Sequence, residues 1–86
     1  MYYVYIIYSL KVDLFYKGIT QHVGRRLSAH NHNESPFTRN KGPWELVAVF
    51  EKPNRSSAMQ LERKLKNLTR VRLQKFLEKY ADGRGS

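Results

Sequence analysis

The chain has 86 residues, enough for one domain, and a chain this short buries only about 60% of the surface that it exposes when unfolded. It contains no cysteine, which excludes disulfides and thiolate metal sites and predicts an intracellular, cytoplasmic protein. Sixteen lysines and arginines against seven aspartates and glutamates give a charge of +9, so nucleic acid is the expected partner, ahead of a membrane surface.

The first half of the chain predicts a β-hairpin, a helix and a loop. The opening stretch YYVYIIYS alternates in the manner of a strand over Tyr2–Tyr8. A short polar stretch separates it from a second β-rich run, Leu14–Thr20, so the two runs form a hairpin. Apolar residues at helical spacing predict a helix over Val23–His30. The Asn-, Ser-, Pro- and Gly-rich stretch Asn31–Pro43 then reads as a loop.

The second half predicts a strand and two helices. The strand covers Trp44–Glu51, Asn54 or Ser56 caps the first helix, and a break near Thr69 separates it from a last helix over Val71–Tyr80. The residues expected to be buried are Leu46, Val47, Val49 and Phe50 in the strand, Ala58, Leu61, Leu65 and Leu68 in the first helix, and Leu73, Phe76, Leu77 and Tyr80 in the second.

The order β-β-α-β-α-α predicts an α+β fold, a three-stranded antiparallel sheet flanked by helices. Residues 1–81 are expected to form a single domain and residues 82–86 a flexible, Gly-rich tail. No stretch approaches the roughly 20 apolar residues of a membrane span, and no membrane or small-molecule cofactor is expected.

Several residues with reactive side chains fall where this fold would bring them together. Tyr5 lies on the first strand and Tyr16 on the second, in a hairpin that can place them side by side. Gly18 follows, at a position where a side chain would block close approach. Arg26 and His30 are four residues apart, hence on one face of the next helix.

Glu62 completes this set as a lone acid in the basic segment LERKLK. A phenol or an imidazole can take a proton from water, and a guanidinium can neutralise charge that builds on a phosphate. One carboxylate, together with water and substrate phosphate, can hold Mg²⁺. The set is therefore suited to cutting a phosphodiester bond.

The sequence resembles the GIY-YIG nuclease superfamily, in its small stand-alone form. The first motif of the family falls on Tyr3–Tyr5, where only Tyr5 is kept, and the second falls on Tyr16–Gly18, with Lys17 in place of isoleucine. The Arg-Arg pair and the histidine of its helix pattern fall on Arg25, Arg26 and His30. The resemblance covers nearly the whole chain, and the order of elements agrees with the family fold.

The resemblance implies a role for each of these residues in a divalent-metal-dependent endonuclease that cuts DNA. Glu62 would bind a single Mg²⁺ or Mn²⁺ ion, and Arg26 would contact the scissile phosphate. Tyr5 would be the general base, with Tyr16 and His30 orienting water, phosphate or Tyr5 itself. A phenol pKa near 10 is high for such a base, and Arg26, Lys17 and the metal are expected to favour the phenolate.

Alternatives remain open for the individual residues and for the chain. Glu62 can form a surface ion pair with Lys66, Arg26 can belong to a solvated helix face, and His30 can interact with a helix C-terminus. The chain as a whole can be a non-catalytic nucleic-acid-binding module on the same scaffold, or a structural basic protein.

Basic residues outside these motifs predict a track for the substrate. They crowd the last two helices, where only two glutamates oppose them, whereas a solubilising surface usually mixes both signs of charge. The residues expected to bind nucleic acid are Lys17, Arg25, Arg39, Lys41, Arg63, Lys66 and Arg70.

Overall fold

The structure, a computed structural model, describes residues 1–85, with side chains described through Ala81. The predicted order of elements is confirmed, and the predicted bounds agree closely except at the end of the last helix, which was predicted at Tyr80 and lies at Gly85. The predicted tail, residues 82–86, lies outside the residues whose side chains are described. The elements are β1 (Tyr2–Ser9), β2 (Leu14–Thr20), α1 (Val23–Asn31), β3 (Glu45–Lys52), α2 (Arg55–Lys66) and α3 (Arg70–Gly85).

The three strands form an antiparallel sheet in the order β2-β1-β3, so β1 is central and the other two strands are edges. Between β1 and β3 the register shifts, because Ile6 pairs with Ala48 while Ile7 pairs with Leu46. As a result of this shift the Ala48 side chain is buried, whereas the Leu46 side chain of the same edge strand is exposed. The prediction that Leu46 is buried is therefore wrong, since its side chain is 40% exposed.

Each face of the sheet is covered by a different set of elements. On one face Val4 and Ile6 of β1 pack with Ala58 and Leu65 of α2 and with Leu73 of α3. On the other face the alternate residues of β1 face α1 and the loop before β3, which contribute Leu27 and Trp44. This division follows from the two-residue period of a strand, and it confirms the alternation predicted for β1.

The α2 and α3 helices begin at side-chain caps. The Asn54 side chain accepts a hydrogen bond from the backbone N–H of Ser57 at 2.9 Å, so Asn54 rather than Ser56 caps α2. The predicted break falls between Lys66 and Arg70. There the Thr69 hydroxyl accepts from the backbone N–H of Arg72 at 3.3 Å. In the part of the chain that the structure describes, no helix is long and apolar enough to cross a membrane.

Polar side chains hold the loop between α1 and β3 against the sheet. Asn31 accepts from the backbone N–H of Trp44 at 2.6 Å and donates to the carbonyl of Trp44 at 3.1 Å. The Trp44 ring is buried, and its Nε1–H donates to the carbonyl of Thr38 at 3.3 Å. These bonds fix Thr38 beside α1, where its own side chain is fully buried.

Candidate active site

A cleft of about 460 Å³ lies at the edge of the sheet formed by β2. Side chains from both faces of the sheet meet in it, because α1 covers one face and α2 covers the other. The hairpin strands, α1 and α2 therefore all contribute to one site. The polar lining includes Tyr5, Tyr16, Arg26, Arg55 and Glu62, with Gly18 at the edge of the sheet.

Gly18 lets the Tyr5 side chain cross β2 to reach this cleft. The two residues are direct partners in the antiparallel register of β1 and β2. A Cβ atom added at Gly18 would lie 2.6 Å from Cζ of the Tyr5 ring, which is closer than non-bonded atoms approach. The prediction that a side chain here would block close approach is confirmed, and the ring that needs the space is that of Tyr5.

The Tyr5 hydroxyl is the end of a buried chain of hydrogen bonds. It lies 2.9 Å from Nε2 of His30, and Nδ1 of His30 lies 2.6 Å from Oγ1 of Thr38. Tyr5, His30 and Thr38 are all at most 2% exposed. When the imidazole carries its proton on Nδ1, Thr38 accepts that hydrogen bond and Nε2 accepts from the phenol.

Tyr16 packs against both rings of this chain without joining its hydrogen bonds. Its ring centroid lies 6.4 Å from that of Tyr5 and 5.1 Å from that of His30. The structure thus brings together Tyr5, Tyr16, Arg26 and His30. His30 lies behind Tyr5 and does not line the cleft.

Burial and charge shift the pKa values of this group. Burial raises the pKa of Tyr5, although Arg26 acts in the opposite direction. Lys17 has no part in this shift, because it is next to Tyr16 in a strand and so lies on the opposite face. The expectation that Lys17 favours the phenolate is wrong for this reason, and Tyr5 is a neutral phenol at pH 7.

Burial also lowers the pKa of His30 to about 4, with the positive charge of Arg26 as the second cause. His30 is therefore a neutral imidazole at pH 7, able to accept one hydrogen bond and donate another. The pKa of Arg26 is raised, chiefly by its interaction with the Tyr5 hydroxyl, so the guanidinium stays charged in the cleft.

Glu62 faces the cleft from α2 and also forms the ion pair expected from its spacing. Its Oε1 lies 3.5 Å from Nζ of Lys66, one helical turn further on, and its side chain is 22% exposed. Among the described residues no three His, Cys, Asp or Glu side chains form a metal-binding group. Any cation in the cleft would therefore have Glu62 as its only carboxylate ligand among the described residues lining it.

Residues 1–76 match the GIY-YIG catalytic domain. The chain belongs to the GIY-YIG family. It is 38% identical to a UPF0213 protein of Halalkalibacterium halodurans over 69 residues, covering 79% of this chain and 72% of that protein. It is 34% identical to a UPF0213 protein of Natronomonas pharaonis over 76 residues, covering 87% of this chain and 88% of that protein.

A solved structure agrees with this assignment. The solution NMR structure of a UPF0213 protein from Bacillus halodurans is similar with a TM-score of 0.60 and 34% identity, covering 91% of this chain and 84% of that one. The predicted α+β fold and the predicted family are thus both confirmed. Membership of the GIY-YIG family implies nuclease-type activity.

Sequence reasoning missed three residues of this GIY-YIG site. Arg55 and Met59 line the cleft with Glu62, and their spacing of four and three residues puts all three on one face of α2. That spacing was visible in the sequence. Thr38 carried no local signal, because it lies in a loop eight residues beyond His30.

The predicted nucleic-acid-binding residues fall into separate groups around the GIY-YIG site. Lys17 and Lys66 line one hollow, and Arg63 lines another with Arg55. Arg25 lines a third beside Arg26. Each of these hollows adjoins the cleft, because at least one residue lines both the hollow and the cleft.

The other three predicted residues make contacts within the protein. Arg39 donates to the carbonyl of Asn33 at 3.4 Å, and the ammonium of Lys41 lies over the ring of Phe37. Arg70 forms a 2.5 Å ion pair with Asp13, a contact that ties α3 to the tip of the hairpin. Tyr8 donates to the same carboxylate at 2.5 Å, and this hydrogen bond together with Arg70 lowers the pKa of Asp13. Their binding of nucleic acid stays a prediction.

Proposed function

We propose that this protein is a divalent-metal-dependent endonuclease that hydrolyses phosphodiester bonds in DNA. The observation that carries the proposal is the convergence of Tyr5, Arg26 and Glu62, from β1, α1 and α2, on one cleft. A proton-transfer group, a fixed cation and a carboxylate that can hold a metal ion can each promote hydrolysis of a phosphodiester. The net charge of +9 favours a polyanionic substrate.

The residues present fit a single hard cation. Mg²⁺ and Mn²⁺ prefer oxygen ligands, and Mg²⁺ commonly binds through one or two carboxylates while keeping waters and substrate phosphate oxygens. Glu62 supplies that carboxylate, which has lone pairs left beside its contact with Lys66. The ion would supply Lewis-acid stabilisation of the charge on the phosphate and on the leaving oxygen.

Arg26 is proposed to bind the scissile phosphate. Arg26 is half-buried and lines the cleft, its guanidinium stays charged, and a planar fork of donors matches two phosphate oxygens. Charge grows on these oxygens as water attacks the phosphorus atom. Because Arg26 is already in place on α1, it stabilises this charge with little reorganisation.

Tyr5 is proposed to move the proton of the attacking water. As the new P–O bond forms and the bond to the leaving oxygen breaks, the water gives a proton to the phenol oxygen. The phenol passes its own proton to Nε2 of His30, 2.9 Å away. The resulting imidazolium then returns this proton to the Tyr5 oxygen, while the phenol releases its other proton to solvent in the open cleft, from which the leaving oxygen is protonated. This return is favoured because burial and Arg26 lower the pKa of His30 to about 4. A phosphate bound at Arg26 would partly neutralise the positive charge of Arg26 and so raise the pKa of His30 during the reaction.

The alternative is a non-catalytic nucleic-acid-binding module. Such a module needs the basic surface but not a buried phenol–imidazole–hydroxyl chain that ends in the cleft. The Tyr5–His30–Thr38 chain therefore favours the enzyme.

The test is the substitution Glu62→Ala, assayed on single-stranded, duplex and branched DNA with Mg²⁺, with Mn²⁺ and with EDTA. We expect metal-dependent cleavage to fall to background while DNA binding is kept, because removing an acid does not weaken attraction to phosphate. Glu78→Ala is the matched control, because it removes an equal charge from an exposed position on α3. It should cleave as wild type does.

The role of the metal has a second readout. Binding of Mn²⁺ to the protein–DNA complex, followed by electron paramagnetic resonance, should be lost in Glu62→Ala and kept in Glu78→Ala. Cleavage by Glu62→Ala at the wild-type rate would refute the metal assignment and leave the Glu62–Lys66 ion pair as the function of this carboxylate.

A further inference from the structure

An exposed aromatic ring lies beside the cleft and has no part in the proposed chemistry. Phe37, in the loop between α1 and β3, is 56% exposed. Among the side chains described, residues 1–81, it is the only Phe, Tyr or Trp that is exposed. The neighbouring Thr38 is fully buried in the hydrogen-bond chain behind Tyr5, so the backbone that presents Phe37 is firmly held.

Phe37 extends an aromatic surface that begins in the cleft. Its ring centroid lies 5.4 Å from that of Tyr16, with an angle of 32° between the rings. Both rings line a hollow of about 370 Å³, together with Phe15, Lys17 and Lys66. Tyr16 also lines the cleft, so the hollow and the cleft share one wall.

The hollow is positively charged. Lys17 and Lys66 lie close enough for Lys66 to lower the pKa of Lys17, after the larger effect of burial. Lys66 forms an ion pair with Glu62, but Lys17 makes no ion pair with any acid in the described part of the chain. Two crowded ammonium groups favour an anion between them.

A third lysine is available at the rim of the hollow. The ammonium of Lys41 lies 4.3 Å from the centroid of the Phe37 ring. A cation held by an exposed ring is bound weakly, so it can leave the ring when a base and a phosphate arrive. The surface thus offers a ring with three cations around it, which is the arrangement that binds single-stranded nucleic acid.

We propose that Phe37 is a stacking platform for an unpaired base of a single-stranded DNA segment, with Lys17, Lys41 and Lys66 contacting the flanking phosphates. Inside a duplex both faces of each base are already stacked, so the ring can take an unpaired base but not an interior base pair. Because the platform shares Tyr16 with the cleft, a base stacked there directs its neighbouring phosphate toward Arg26 and Glu62. The proposal rests on the proposed nuclease function and names the form of DNA that this cleft accepts.

The test measures binding in EDTA, so that it does not depend on cleavage. Fluorescence anisotropy gives Kd for a single-stranded oligothymidine, for the same strand with abasic sites in place of the bases, and for a duplex. We expect Phe37→Ala to weaken binding to the oligothymidine by roughly 5- to 150-fold, the range for loss of one base–aromatic stack. Binding to the abasic strand and to the duplex should be unchanged.

Three further variants make the result specific. Phe37→Trp should keep tight binding to the oligothymidine, whereas Phe37→Leu, which stays apolar but loses the ring, should behave as Phe37→Ala. Val71→Ala, the matched control, removes an apolar side chain that is 61% exposed and lines none of these hollows, and it should bind as wild type does.

Three results would overturn the proposal. One is equal Kd values for Phe37→Ala and Val71→Ala on the single strand, and another is an equal loss on the single strand and the duplex. The third is a concentration-dependent dimer that Phe37→Ala abolishes, since Phe37 would then be a contact between two copies of the chain. Failure of the nuclease proposal appears separately, as absent cleavage with Mg²⁺ or Mn²⁺ by a wild-type protein that binds the single strand.

Discussion

The two faces of the sheet are built from the same strand but differ in chemistry. On the face toward α2 and α3, β1 contributes Val4 and Ile6 to an apolar cluster. On the face toward α1, the alternate positions include Tyr5, which bonds to buried His30 and, through it, to buried Thr38. The apolar face gains its stability from the removal of hydrocarbon from water.

The polar face gains less stability from burial than the apolar face does. A buried phenol, imidazole and hydroxyl lose their hydrogen bonds to water, and the bonds that replace them yield only about 0.5–1.5 kcal/mol each. An apolar core of the same shape would serve stability as well or better. The difference between the faces indicates that one is built for stability and the other for chemistry in the cleft. Substitutions on the two faces should therefore separate stability from rate.

The largest effect is expected on the polar face, from Tyr5→Phe. This change removes one hydroxyl and keeps the ring that fills the space over Gly18. If Tyr5 transfers the proton of water, the cleavage rate should fall by about 10²–10⁴-fold, the usual span for such a group. DNA binding should be unchanged. Stability should fall by only about 1–3 kcal/mol, because Nε2 of His30 loses its partner.

Substitutions of two other tyrosines serve as comparisons for Tyr5→Phe. Tyr3 lies on the same strand, but its hydroxyl makes no hydrogen bond within the described part of the chain, so Tyr3→Phe should leave the rate unchanged. Tyr16→Phe, which alters the cleft wall, should fall between the two. Single-turnover cleavage and thermal melts of all three variants provide the comparison. Equal rates for Tyr5→Phe and Tyr3→Phe would refute proton transfer by Tyr5.

On the apolar face the expected effect is on stability alone. Leu73 of α3 is 2% exposed and packs in the apolar cluster, while none of the α3 side chains described, residues 70–81, lines the cleft. Leu73→Ala should lower the free energy of unfolding by about 2–5 kcal/mol, through lost burial and the cavity it leaves. The cleavage rate per folded molecule should stay at the wild-type value.

Val71→Ala is the control for that change, because it shortens an exposed side chain two residues away on the same helix. Its effect on stability should be within about 0.5 kcal/mol. Denaturant titrations give the free energies, and rates are normalised to the folded fraction. A rate per folded molecule that falls with Leu73→Ala would show that the two faces are coupled.

The features that follow from periodicity were predictable from the sequence. A period of two along β1 assigns Val4 and Tyr5 to opposite faces, and a spacing of four along α1 puts Arg26 and His30 on one face. The need for a small residue at Gly18 also followed from the hairpin. In each case the rule acts within one element or between adjacent strands.

The features that depend on packing between distant elements were not predictable. Thr38 reaches His30 because Asn31 and Trp44 fold the loop back onto α1. Leu46 is exposed because an extra residue shifts the register of β3. The ion pair between Arg70 and Asp13 joins residues far apart in the chain, and no local pattern indicates it. These are tertiary contacts, which local spacing does not specify.

The smallest expected effect is a pH dependence of stability that comes from the polar face. The pKa of His30 is about 4 in the folded protein, chiefly through burial, and near 6.5 in the unfolded chain. Between these values the unfolded chain binds a proton that the folded protein does not. The stability due to neutral His30 is therefore complete above about pH 6.5 and is lost as the pH falls toward about 4, by up to about 3 kcal/mol.

Denaturant titrations from pH 7 to pH 4 measure this loss, and His30→Gln, which cannot titrate, should remove most of it. His22→Gln, at the exposed start of α1, is the matched control and should keep the wild-type slope. Asp13, whose pKa is lowered from 3.8 by Tyr8 and Arg70, contributes only near the acid end of this range, and both variants keep it, so it cancels in the comparison. Equal slopes for His30→Gln and His22→Gln would mean that the buried imidazole is not what makes the polar face sensitive to acid.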